Sequence, residues 1–332
     1  MALGSIIGFG LVFVLVAWSG SALARLAMHL FAKQLQRRGA AGEKRAAALA
    51  LILPPVLGMV VTASLALYSA FPGLLGGVDH CDTHGHHLHL CLVHGGEWAS
   101  RSWALALVAG LGALAFVRSA QLIEAAMRGR RRLQTIERSS VRIEDGELVG
   151  AFPVFRAPSN RPFCFVAGIR APRIFVASSL WDNFSEEERE AMLGHEYGHI
   201  ENGDIWRATV LSFFALFGAP ILALQFKRLW SDATERLCDR MSADKSGDST
   251  AIASALVNMV RAPRMAHGLS FVPTPGAVEN RVVAVLTQER TGHSLAQKLL
   301  HSSVALVAIV TITSALIADP LHHALESLFG LV

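Results

Sequence analysis

Four runs of mainly apolar residues, each long enough to cross a bilayer, constrain this chain more than anything else in it. About 20 such residues span the hydrocarbon core as a helix. Leu3 to Leu23, Ala46 to Phe71, Trp103 to Ala120 and Leu300 to Ala318 all qualify. A fifth run, 208–226, is ambiguous, because Gly218-Ala219-Pro220 breaks it. With 52% apolar residues overall, the composition excludes an ordinary soluble enzyme.

Basic residues set the expected orientation, since cytoplasmic loops keep Lys and Arg. Arg25, Lys33, Arg37, Arg38, Lys44 and Arg45 follow or precede the first two runs. Arg118, Arg128, Arg130, Arg131, Arg132 and Arg138 flank the third, and none lies between Phe71 and Ser100. The N-terminus and the loop 78–98 are therefore expected outside and 121–298 in the cytoplasm. The last span then returns 319–332 to the outside. "MALGS" has no positive charge, so the first run reads as a retained span and not as a cleaved signal. The pI near 9.1 reflects membrane flanks and argues against direct nucleic-acid binding.

The expected class is a mainly α membrane protein of about four transmembrane helices, with a cytoplasmic α+β domain between the third and last spans. Its divisions are 1–120 (three spans), 121–298 (the cytoplasmic domain, with a membrane-associated segment 206–226) and 299–332 (last span and tail). Strands are expected in "VRIEDGELVG", with a turn at Asp145-Gly146, in "PFCFVAGI" and in "PRIFVAS". Ser185 with Glu188 three residues on has capping-box spacing and opens a helix through "EEEREAMLGHEYGHIENGD".

The chemistry sits on that helix. His195 and His199 are four residues apart, so both imidazoles leave one face and can share a Zn²⁺, while Glu196 can act as the base toward water at the metal. HExxH is short enough to arise by chance, so a third donor matters. "ATERLCDRMSAD" supplies Glu235 as the third ligand and Asp239, four residues on, to orient a ligand histidine. A single crossing by 208–226 would separate Glu235 from His195, so that segment is expected to dip and return or to stay in the core.

"PRIFVASSLWDNFSEEEREAMLGHEYGHIENGD", "ERLCD" and the order of three spans, zinc domain and last span resemble the membrane metallopeptidases of the BlaR/MecR antibiotic-sensor type, a gluzincin-like arrangement. The resemblance implies zinc ligation by His195, His199 and Glu235, with Glu196 as base. It also implies a signalling protease in the bacterial inner membrane that cuts a BlaI/MecI/CopY-like transcriptional repressor. Only 319–332 follow the last span, too few for the family's penicillin-binding sensor domain. The alternative is an HtpX or CAAX-type processing or quality-control metalloprotease. Only 35 residues lie between His199 and Glu235, which favours the sensor-type layout.

The outer loop "DHCDTHGHHLHLCLVHGG" carries His80, Cys81, His84, His86, His87, His89, Cys91 and His94. This donor set suits a second metal, Cu or Zn. A Cys81–Cys91 disulfide with solvated histidines, or a pH sensor, are the competing readings. A metal-handling membrane protein without enzymatic activity is the remaining class; it would want ionisable groups inside the spans, and these are nearly absent. Membrane lipid is an expected partner, and an oligomer is compatible with everything above.

Overall fold

The computed structural model describes residues 2–71, 102–143, 152–261, 275–287, 308–313, 320, 321 and 324. The histidine-rich loop, the Asp145-Gly146 turn and most of the last expected span lie outside them.

The described chain is mainly helical. α1 (Ala2–Leu30) and α3 (Gly39–Ala70), joined by the short α2 (Ala32–Arg37), form a packed hairpin. Glycines permit the close approach. A Cβ on Gly20 would stand 3.2 Å from Pro54, and one on Gly58 would stand 3.1 Å from Phe13. α4 (Ser102–Ser139) is the third helix long and apolar enough to cross a membrane. The third span and the basic stretch after it thus form one continuous helix, with no break at 120.

A four-stranded sheet follows: β1 (Val141–Arg142), β2 (Val154–Ala157), β3 (Cys164–Ala167) and β4 (Arg173–Ala177), in the order β1-β2-β4-β3. β2 runs parallel to β4, and the other two pairings are antiparallel. β3 is an edge strand. Sequence patterning overlooked β2, whose four residues sit between Pro153 and Pro158 and are too few to show a period.

After the single turn α5 (Ser178–Trp181), α6 (Glu186–Glu201) begins with the expected capping box. Glu188 N–H donates to Ser185 Oγ at 3.2 Å, and Ser185 N–H donates to Glu188 Oε2 at 3.0 Å. Glu188 also accepts from Asn258 Nδ2 at 2.7 Å, tying this end of α6 to α9 (Ser249–Arg261). Met192 and Leu193 bury against Val154, Ile174 and Val176, so the sheet forms one wall behind α6.

α7 (Asp204–Phe214) and α8 (Pro220–Ser246) turn back on each other across 215–219. The ambiguous apolar run is therefore a helical hairpin. Arg118 of α4 donates to the open carbonyls at the turn, Ala215 at 2.6 Å and Leu216 at 3.2 Å, which satisfies groups that a helix end leaves unpaired. Phe226 and Ala223 of α8 bury against Ala50 and Leu51 of α3, docking the hairpin on a candidate span.

α8 reaches α6 through a glycine groove. A Cβ on Gly198 would lie 3.2 Å from Cys238 Cα, and one on Gly194 would lie 2.4 Å from Ser242 Oγ. Both pairs are one helical turn apart, so the two helices meet along two turns. This contact brings Glu235 to the histidines. α10 (Pro275–Leu286) packs against α8 and α9.

Candidate metal centre

His195 and His199 project from one face of α6, their rings edge to face with centroids 4.9 Å apart. Glu235 Oε2 lies 3.4 Å from His195 Nε2, and Glu235 Oε1 lies 3.6 Å from His199 Nε2. Donors around one tetrahedral zinc, each about 2.0–2.1 Å from the ion, stand about 3.3 Å from one another. The spacing here fits a single ion.

The far ring nitrogens show how the donors are aimed. His195 Nδ1 is 2.7 Å from Asp239 Oδ1, and His199 Nδ1 is 3.0 Å from Asp204 Oδ2. A carboxylate that accepts from Nδ1–H leaves the Nε2 lone pair for the metal. The structure thus brings together His195, Glu196, His199, Glu235 and Asp239. The eight outer-loop donors lie outside the described residues.

Three supporting groups, Arg281, Lys44 and Asp204, escaped the sequence reading. Arg281 of α10 donates to Asp239 through Nε and Nη2, each at 2.7 Å, and its Nη1 stands 3.1 Å from Glu235. Lys44 of α3 meets Asp204 at 2.5 Å. Asp204 had a local signal, because "ENGD" places Gly203 at φ 61°, where glycine turns the chain into α7. Arg281 had none, lying in an amphipathic helix far from both motifs.

Burial alone would keep Glu235 and Asp239 protonated; His195 and Arg281 outweigh it. Glu235 is held down to about 2, and Asp239 lies well below the usual carboxylate range. Burial pushes Glu196 up, against the pull of the two histidines. Glu196 is buried beside Cys164 of β3, whose thiol is raised by its own burial and by that carboxylate.

His199, Asp204 and Cys238 form a second compact group of metal-type donors, with Cys238 Sγ 3.5 Å from His199 Nδ1. Burial and the Asp204 charge keep that thiol protonated, and Asp204 is already engaged by Lys44 and His199. The group is a brace for His199. Tyr197 packs its ring against Phe152, centroids 5.9 Å apart, on the sheet side of α6.

A proton count follows from these contacts. Burial pulls His195 down, but Asp239 more than reverses it and raises the imidazole to about 10 in the metal-free protein. At pH 7 zinc must therefore displace about one proton from His195, and affinity should climb about tenfold per pH unit up to that value. Titration calorimetry in buffers of differing ionisation heat measures the release. Without metal the sign reverses. His195 contributes stability that is complete below about 6.5 and lost as pH rises through about 10. Glu235 contributes above about 4.5 and loses its contribution toward about 2.

A cavity of about 310 Å³ opens at these residues, bounded by β3, α6, Trp230 and Ile252. The sequence model of peptidase family M48 matches residues 153–267, which include both motifs and strands β2, β3 and β4. Protease HtpX of Photorhabdus laumondii is 36% identical over 74 residues, 21% of this chain and 25% of that protein. Protease HtpX of Yersinia pestis (strain Pestoides F) is 30% identical over 95 residues, 27% of this chain and 32% of that protein. The chain thus spans about a quarter to a third of the length of the curated relatives it matches. These similarities support a membrane metallopeptidase of the HtpX type, the alternative given above, better than one of the BlaR/MecR type. The 35 residues between His199 and Glu235 hold α7 and the first part of α8, which fold back as a hairpin.

Proposed function

We propose that this chain is a membrane-anchored zinc metalloendopeptidase of the HtpX type. It would process or remove protein segments at the cytoplasmic face of a bacterial inner membrane. The convergence of His195, His199 and Glu235 on one point, with Glu196 buried beside it, carries the reading.

Zinc held by those three residues supplies Lewis acidity to a carbonyl and to water. The chain does the rest. Among the described residues β3 pairs on one side only, so its other edge is free to receive an extended peptide as an added strand. Glu196, buried beside Cys164 of β3 and next to His195, would take the proton of the attacking water and pass it to the leaving amine. Asp239 and Asp204 hold the imidazoles in one tautomer and one orientation. An extended, flexible substrate suits this edge better than a folded one.

The full-length protein in lipid nanodiscs, stripped by a chelator and reloaded with one equivalent of zinc, tests the proposal against an unfolded protein such as reduced casein. Cleavage should vanish on stripping and return on reloading. Cleavage that survives complete metal removal would overturn it.

A further inference from the structure

A second cavity, of about 450 Å³, lies between α3, α7 and α8 on the other side of Trp230 from the metal centre. Its walls are apolar, with Ala48 and Ile52 from α3 and Val210 and Leu211 from α7. Its rim is cationic. Arg45 and Arg207 both line it, near enough for their charges to repel, and among the described residues neither has an acidic partner.

The neighbouring acids are already engaged. Asp204 is held by Lys44 and His199, and Glu43 pairs with Arg236. Two guanidiniums facing one apolar space without a counter-ion favour an anion between them. Position narrows the anion. Arg45 sits near the basic end of α3, and the apolar wall continues from it along α3 toward Ala70, the direction of the hydrocarbon. Trp206, 51% exposed, and Trp230 flank the cavity at that level, where indoles collect at membrane interfaces.

We propose that this cavity binds an anionic phospholipid, its phosphate between Arg45 and Arg207 and an acyl chain along Ile52 and Leu211. The proposal rests on α3 as a membrane span and is independent of peptidase activity. Lys44, on the same wall, leads through Asp204 to His199, so an occupied cavity borders the brace of a metal ligand.

Native mass spectrometry of the full-length protein in detergent, titrated with phosphatidylglycerol, phosphatidylcholine or inorganic phosphate, tests it. Phosphatidylglycerol should bind more tightly than phosphatidylcholine. Arg45→Gln with Arg207→Gln should cost about 30-fold in that preference, at about 1 kcal/mol for each basic residue removed. Arg207→Gln alone, an exposed change that leaves folding intact, should cost about fivefold by the same measure. Arg130→Gln with Arg131→Gln, on the exposed end of α4, should leave the preference unchanged. Equal binding of the two lipids, an unaltered preference in the double variant, or an equal loss in the α4 control would each overturn the proposal. So would displacement of the lipid by millimolar phosphate, which would make the site one for a free anion.

Discussion

Glu196→Gln should lower peptide hydrolysis by about 10²- to 10⁴-fold, the range by which a positioned general base speeds such reactions. It should leave zinc bound. The amide is nearly isosteric with the carboxylate, so the buried space beside Cys164 stays filled, but it cannot take a proton. Glu235→Gln should behave in the opposite order, because Glu235 faces both Nε2 atoms at 3.4 and 3.6 Å. There zinc is lost first, and activity falls with it. Metal content per chain, measured beside the cleavage rate for both variants, separates the two roles. A Glu196→Gln protein that keeps near-wild-type activity would remove Glu196 from the mechanism.

The contrast between those variants reflects what the sequence could carry. His195, Glu196 and His199 lie within one turn and a half of a helix, so their spacing alone states their geometry. Glu235 could be read because Asp239 follows it at the same helical spacing, giving the pair a shared face toward α6. The groove of Gly194 and Gly198 that lets α8 come so close has no meaning until the partner helix is known. Arg281 and Lys44 were illegible for the same reason. Each acts over more than forty residues of separation, through contacts that no local period encodes.

The hairpin of α7 and α8 shows how a composition signal can be right about the residues and silent about the path. Apolar content made 208–226 a candidate span, and the requirement that Glu235 share a metal with His195 argued that the segment must return. The structure supplies the physical means: Pro220 opens α8 without needing an N–H partner, and Arg118 covers the carbonyls at the turn. Phe213, Phe217, Ile221 and Leu224 remain exposed around that turn, an apolar tip at the end of the hairpin. A tip of this kind, docked on α3 and next to α4, has the character of an interaction surface.

Arg281→Met should destabilise the metal-free protein by about 1–3 kcal/mol, the range for a buried acceptor that loses its donors, with His195 still paired to Asp239. Asp239 is 1% exposed and receives two hydrogen bonds from that guanidinium, and Glu235 loses its nearest cation as well. The loss should be greatest in the metal-free protein, since bound zinc would supply positive charge to Glu235 in place of the arginine. Denaturant unfolding with and without zinc measures both values. Asp239→Asn in the Arg281→Met background should recover part of the loss, because an amide needs no counter-ion, while His195 loses the carboxylate that orients it. The double variant should therefore regain stability faster than it regains zinc affinity, whose expected deficit is about 10- to 100-fold. If Arg281→Met costs less than about 1 kcal/mol without metal, in the range of an exposed pair, the arginine is not the counter-ion that keeps these two acids charged.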